Sequence, residues 1–268
     1  MDDIITSESS AYYGTESIQE KLLELLVSFH RICVENEIRY SLNSGTLLGA
    51  IRHDGFIPWD DDADVMMERA DYERFMKLDL SVYGNSILRN RWVNRFVRSE
   101  ATTEDDAFID IFVVDNVPDN KMVRSAKVFM IRTLQGMMKE KLSLSNYHFP
   151  YNILIWGTHT LGRLASDESK YDLYQKISKI SNAKETEYVG IYNNFYRSIP
   201  RLYDRDMMKD IILHRFEDVS LYITSRYDSY LSGVYGDYMT PPPKEDRISG
   251  RFNIKCNNET IKMDNSNH

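Results

Sequence analysis

Four aspartates stand within five positions, Asp60, Asp61, Asp62 and Asp64, directly behind Gly55 and Pro58. Like charges packed this closely repel, and a fold keeps them together only where most are solvated or a cation lies among them. The residues from Ala63 to Met67 are apolar enough for a strand. Residues two apart on a strand share a side, about 6.5–7 Å apart along the chain. Asp62 and Asp64 are therefore expected on one face with Met66, and Ala63, Val65 and Met67 on the other. Two carboxylates on one face, at the start of a buried strand, suit a Mg²⁺ site for phosphoryl transfer. Ahead of them Gly45 and Thr46 read as a turn before a short apolar helix, Leu47 to Ile51, that ends in Arg52 and His53. Backbone N–H groups and a hydroxyl at such a turn form a phosphate cradle.

A calcium loop is a rival reading. Asp60, Asp62 and Asp64 occupy the first, third and fifth positions of an EF-hand pattern, with Asp71 at the twelfth. The sixth position is Val65, where the loop requires glycine, and Pro58 leaves no helix leading in.

A second carboxylate-bearing strand is expected over Ala107–Val114, apolar on both faces except for Asp110. Burying an isolated ionised carboxylate is costly, so Asp110 needs company. It either joins Asp62 and Asp64 or pairs with an arginine. Arg89, Arg91, Arg95 and Arg98 lie close by, on two short strands predicted at Ile87–Leu88 and Trp92–Val97. They read equally as an anion-binding patch or as the solvated charges of an edge.

The 268 residues suffice for one large domain, and 42% hydrophobic with 28% charged residues is ordinary globular composition. The net charge of −8 argues against a sequence-independent nucleic-acid binder. Cys33 and Cys256 form no CxxC pair, so thiolate zinc is not expected. Neither a secretory signal nor an apolar run long enough to cross a membrane is visible, which makes the cytoplasm the default compartment.

Ser17 and Glu20 fit a capping box for an amphipathic helix over 17–36, with Ile18, Leu22, Leu25, Leu26, Phe29, Ile32 and Cys33 inward. Arg39–Leu42 reads as a strand and Asp71–Lys77 as a short helix. A long helix over 121–141 places Met122, Ala126, Phe129, Met130, Leu134, Met137 and Met138 on one side. That stripe serves either core packing or a surface touching membrane or a lipid-linked acceptor. Residues 143–165 are aromatic and irregular, and Tyr171–Ile180 is helical. A strand is expected at Asp218–Ile223 and a helix from Tyr227 to Val234, before three prolines end regular structure at Pro243.

The runs Gly45-Thr-Leu-Leu-Gly-Ala-Ile-Arg52 and Gly55-Phe-Ile-Pro-Trp-Asp-Asp-Asp62 strongly resemble the LicD family, which includes the fukutin-related proteins. Phe108-Ile-Asp-Ile-Phe112, Tyr227-Asp-Ser-Tyr-Leu and Tyr235-Gly-Asp-Tyr-Met resemble its later motifs. The likeness extends from residue 40 to about 243 and is faint over 120–215. One departure is that Lys244–Arg251 lacks the histidine expected after the prolines. The resemblance implies an α+β, nucleotidyltransferase-like core with a mixed sheet flanked by helices, plus a helical insertion and a C-terminal segment. One domain over 1–254 is expected, with its core at 17–118, the insertion at 121–215, a strand and helix at 216–243, and a polar tail at 255–268.

The implied activity is transfer of a phospho-alcohol, foremost phosphocholine, from a CDP-linked donor to a hydroxyl of a cell-surface glycan or its lipid-linked precursor. Asp62, Asp64 and Asp110 are then the catalytic triad and hold Mg²⁺, with Mn²⁺ as a substitute, and Asp60 orients them. Gly45, Thr46, Arg52, His53 and Arg247 would serve the donor phosphates. A choline headgroup wants an aromatic cage, for which Trp59 and Trp92 are the candidates. An NTP-using nucleotidyltransferase and a non-catalytic nucleotide-binding relative are the alternatives. With no integral membrane segment, the enzyme would work in the cytoplasm and meet a lipid-linked acceptor at the inner membrane face.

Overall fold

The computed structural model describes residues 10–101, 107–139, 157–160 and 162–247. The fold is α+β, built on one mixed sheet. A short helix α1 (Ser10–Tyr13) precedes the long α2 (Glu16–Glu35), whose Leu22, Leu25, Leu26, Phe29, Ile32 and Cys33 are buried as their spacing predicts. Ser17 does not cap α2, because the helix already starts at Glu16 behind Thr15. The Thr15 hydroxyl donates instead to the Pro58 carbonyl at 2.6 Å, tying the start of α2 to the segment that carries the aspartates.

β1 (Ser41–Leu42) runs almost directly into α3 (Ser44–His53). Gly45 and Thr46 thus lie in the first turn of a helix, not in a turn ahead of one. After β2 (Ala63–Glu68) and α4 (Arg69–Phe75), β3 (Asn85–Asn90) and β4 (Val93–Arg98) form a hairpin, and β5 (Ile109–Asn116) follows. β2 and β5 lie side by side and parallel; β1 is antiparallel to β2 and β4 to β5. The order is β1-β2-β5-β4-β3, and β6 (Tyr188–Ile191) pairs with the far part of β5 and with β7 (Tyr203–Asp204). A separate hairpin, β8 (Ile211–Phe216) and β9 (Val219–Thr224), leans on β1, where Thr224 N donates to Ser41 Oγ at 2.8 Å.

α5 (Lys121–Met137) and α6 (Asp167–Ser178) share a second, smaller core with Trp92, Val117 and Tyr192. Of the two uses open to the apolar stripe of α5, packing in the core accounts for only part of it. Of that stripe only Leu134 and Met138 are buried, while Met122 and Phe129 are 79% and 62% exposed. The inner face runs through Lys127, Ile131, Leu134 and Gln135. Lys127 and Gln135 can lie inward here because their side-chain nitrogens find carbonyl partners. Gln135 Nε2 donates to Asn194 O at 2.9 Å, and Lys127 Nζ to Asn116 O and Ile180 O at 3.0 and 2.8 Å.

Burial pushes the wholly buried Lys127 ammonium down to about 7. The unfolded chain, with the ordinary lysine value of about 10.5, then binds more protons than the native state between pH 7 and 10.5. Stability must rise with pH across that window. Urea denaturation of wild type and Lys127→Met at pH 7 and pH 9.5 should show wild type gaining on the order of 2 kcal/mol relative to the variant. A difference independent of pH would refute a neutralisable Lys127.

Candidate active site

The parallel register of β2 and β5 sets Asp64 directly beside Asp110, and the antiparallel register of β4 sets Arg95 beside Asp110 on its other side. Directly opposed residues share a face, so the three line up across the sheet. Arg95 Nε lies 2.9 Å from Asp110 Oδ1, and its guanidinium stacks 3.7 Å from the Phe108 ring centre. Asp110 therefore does both things the sequence allowed: it stands next to Asp64 and it pairs with an arginine. Arg98 and Arg89 do not form one patch with Arg95, since Arg98 turns to Glu24 and Arg89 covers the Tyr171 ring.

The segment before β2 is held from several sides. Gln19 Nε2 donates to Ile57 O at 3.0 Å and to Asp60 O at 2.7 Å. Phe56 N donates to Glu217 Oε1 at 2.8 Å, and Glu217 N to Asp54 O at 2.6 Å, so the tip of the β8–β9 hairpin clasps the chain at 54–56. Thus pinned, Asp60, Asp61 and Asp62 bring carboxylate oxygens within 4.8 Å of one another. Asp61, one of the four clustered aspartates but given no role from the sequence, is buried. Burial raises the Asp60 carboxyl well above its ordinary range, with Asp62 and Asp61 adding to it. Burial likewise raises Asp64, with Asp62, Asp110 and Asp60 as the next causes; the Ser44 hydroxyl, hydrogen-bonded to Asp64, opposes them. An EF-hand is excluded, because Asp64 sits in a paired strand rather than in a calcium loop.

The start of α3 faces this cluster. Thr46 Oγ1 accepts from Asp64 N at 2.9 Å, and Asn43 N donates to Asp64 O at 2.9 Å. Ser44 takes a left-handed φ of 46°, an uncommon state for a residue with a side chain, at the point where its hydroxyl reaches Asp64. A Cβ at Gly45 would lie 2.6 Å from Asp60 Oδ2. Gly45→Ala should therefore displace one carboxylate without breaking the backbone. Its expected signature is metal affinity about tenfold weaker with an unfolding temperature near wild type, read by titrating Mg²⁺ or Mn²⁺ calorimetrically. Unchanged affinity would disconnect Gly45 from the site.

Arg52, His53, Trp59 and Arg247 come together at the end of α3. Arg52 Nη1 donates to Tyr238 O at 2.8 Å, Arg247 Nε to Pro242 O at 2.8 Å, and the Arg247 guanidinium lies 5.1 Å from the Trp59 ring centre. His53 packs edge-on against Trp59 at 6.0 Å. Burial, then Arg52 and Arg247, push the His53 imidazolium down to about 4, leaving it neutral at pH 7. Trp92 is not part of this group, for it packs in the second core with Met138 and Ile131, so the two tryptophans make no common cage. Tyr235, 44% exposed overall, joins the site unforeseen: desolvation of its hydroxyl, then Asp64, Asp60 and Asp62, push it above the ordinary phenol value. Its signal was present in the Tyr235-Gly-Asp motif, which by itself assigns no role.

A donor set made only of carboxylate oxygens suits a hard cation such as Mg²⁺ or Mn²⁺. Carboxylates at the starts of two parallel strands, faced by a helix N-terminus, can hold a cation against a phosphate. Residues 37–151 match the LicD/FKTN/FKRP nucleotidyltransferase domain. The chain is 27% identical over 257 residues to the lipopolysaccharide cholinephosphotransferase LicD of Haemophilus influenzae, covering 84% of this chain and 91% of that protein. An uncharacterized protein of Rickettsia typhi is 42% identical over 67 residues, a quarter of this chain and 22% of its own length. Over residues 37–151, somewhat under half of its length, the chain is thus similar to the LicD family.

Proposed function

We propose that this protein transfers phosphocholine from CDP-choline to a hydroxyl of a cell-surface glycan, of the lipopolysaccharide type, or of its lipid-linked precursor, releasing CMP. The observation that carries this reading is the gathering of Asp60, Asp61 and Asp62, with Asp64 beside Asp110 on the paired strands, at the start of α3, in a chain similar over most of its length to a cholinephosphotransferase. Asp62, Asp64 and Asp110 would hold Mg²⁺, or Mn²⁺ in its place, whose charge offsets that of the donor diphosphate and of the departing CMP. Ser44, Thr46 and the first N–H groups of α3 lie where phosphate oxygens are favoured. Arg52 and Arg247 supply cations for the nucleotide end, and Trp59 offers an aromatic face.

In the reaction the acceptor oxygen attacks the phosphorus that bears choline. The bond from that phosphorus to the CMP oxygen breaks, and the acceptor proton passes to Asp110, which Arg95 keeps in place. Catalysis is positioning plus neutralisation of charge. The reaction belongs to the cytoplasm, at the inner membrane face when the acceptor is lipid-linked; no helix among the described residues is long and apolar enough to cross a membrane. Incubation with CDP-choline radiolabelled in the choline, together with lipopolysaccharide or its lipid-linked precursors, should place label in the glycan fraction. Label found only in free phosphocholine would argue for a hydrolase and against the transferase.

A further inference from the structure

We propose that the outer face of α5, together with the adjoining Phe195–Tyr196 loop, docks onto a bilayer surface containing anionic lipid. The first observation is the exposed apolar face. Met122 (79%), Phe129 (62%), Val123 (46%) and Met130 (37%) stand in solvent along α5, and Phe195 (76%) and Tyr196 (44%) beside them. Positions 122, 126, 129, 130 and 133 recur at helical spacing, so the exposed residues form a stripe and are not scattered. Single exposed apolar residues need no explanation, but a contiguous stripe with large side chains marks a contact surface.

Helix and loop form one surface. Arg132 Nε donates to Tyr196 O at 3.1 Å while its guanidinium lies 4.5 Å from the Tyr196 ring centre, and Gln135 holds Asn194 O from below. Phe195 is thereby fixed next to the stripe.

The second observation is charge. The chain carries 41 acidic against 33 basic residues, yet residues 120–139 contain no Asp or Glu and residues 193–203 contain none either. Lys121, Arg124 and Arg132 on the helix and Arg197 and Arg201 on the loop contribute the charge there; Asp119, just ahead of the helix, is engaged with the backbone N of Glu187. An apolar stripe flanked by cations is the pattern of an interfacial helix, in which apolar side chains enter the headgroup region and cations meet anionic lipid. A second copy is the poorer occupant, since a self-complementary contact would bring these cations against themselves.

The surface does not depend on the transferase reading, and vesicle binding tests it without any activity. The full chain is floated with vesicles of phosphatidylcholine, and with vesicles of equal parts phosphatidylcholine and phosphatidylglycerol. Wild type should float with the anionic vesicles only, and less at high salt. Phe129→Ser with Phe195→Ser should weaken binding at least about tenfold. Lys121→Glu with Arg197→Glu should weaken it about as much or more, at roughly fivefold per cation removed. All four positions are exposed, so unfolding temperatures should stay at wild-type values. Absence of flotation, flotation undiminished in both double variants, or a dimer that the phenylalanine variant dissolves would each overturn the proposal.

Discussion

Asp64→Asn should lower turnover by about a thousandfold or more and leave the fold intact. Asp64 is where the constraints of the site meet. Its backbone is held on both sides, by Thr46 and Asn43, and its carboxylate faces Asp110 across the parallel register. The substitution keeps size and shape while removing the charge that would bind the cation. It has a second, thermodynamic signature. Folding raises the Asp64 carboxyl well above its ordinary value, through burial first and then through Asp62, Asp110 and Asp60. A carboxyl raised on folding is destabilising once ionised, so metal-free wild type should lose stability as pH rises out of the carboxylate range. The variant should lose less and should unfold at a higher temperature than wild type in EDTA. Added Mg²⁺ should stabilise wild type by mass action and leave the variant nearly unmoved. Equal thermal shifts with Mg²⁺ in both proteins would show that the cation binds elsewhere.

Gly49→Ala should be the most damaging change outside the carboxylates. A Cβ there would lie 2.4 Å from Gly55 O, 3.2 Å from Ile57 N and 3.4 Å from Phe56 C. All three are backbone atoms, so no side chain can rotate away. The segment they belong to is also fixed from beyond by Glu217 and Gln19, which leaves α3 and the aspartate segment to be forced apart. Overpacking of this kind costs about 3 kcal/mol, equivalent to an unfolding temperature lower by about 10 °C for a chain of this size. Activity should fall with it, because the displaced segment carries Asp60, Asp61 and Asp62. Gly233→Ala is the control. It lies inside α7 (Tyr227–Tyr235) with nothing within 4 Å of its added carbon, and should be neutral or gain about 0.5–1 kcal/mol from helix propensity. Comparable losses in the two variants would remove the close approach as the cause.

The elements nearest the site were legible because local pattern and tertiary need agree there. The strand at 63–68 and the strand at 109–116 are mostly apolar, and each carries a site carboxylate at its second position, so period and function point the same way. The turn expected at Gly45–Thr46 became the first turn of α3 because glycine signals both a loop and a close approach. Only the position of Asp60, far along the chain, decides between them. Which face of α5 points inward stayed open in the sequence for a related reason. Apolar spacing ranks faces by side chain, whereas Lys127 and Gln135 are buried on carbonyls of residues 116, 180 and 194. Tertiary partners of that kind leave no local trace. The short strands β6 and β7 draw their pairing from β5 and from each other, and four or two residues are too few to show a period. At the site itself, Asp62, Asp64 and Asp110 could be named from charge and strand pattern. Ser44 and Tyr235 could not, and Asp61 could be seen in the cluster but given no role, since a left-handed backbone, a helix end and a pinned loop meet only in the fold.

The most direct test of the central claim is CMP release from a panel of CDP-linked alcohols, with Mg²⁺ and with EDTA, for wild type beside Asp64→Asn. Metal-dependent release from CDP-choline in the presence of a glycan acceptor, lost in EDTA and lost in the variant, is the predicted result. Absence of release from every CDP-alcohol, with turnover of a nucleoside triphosphate instead, would contradict it and make the carboxylates the centre of a nucleotidyl transfer.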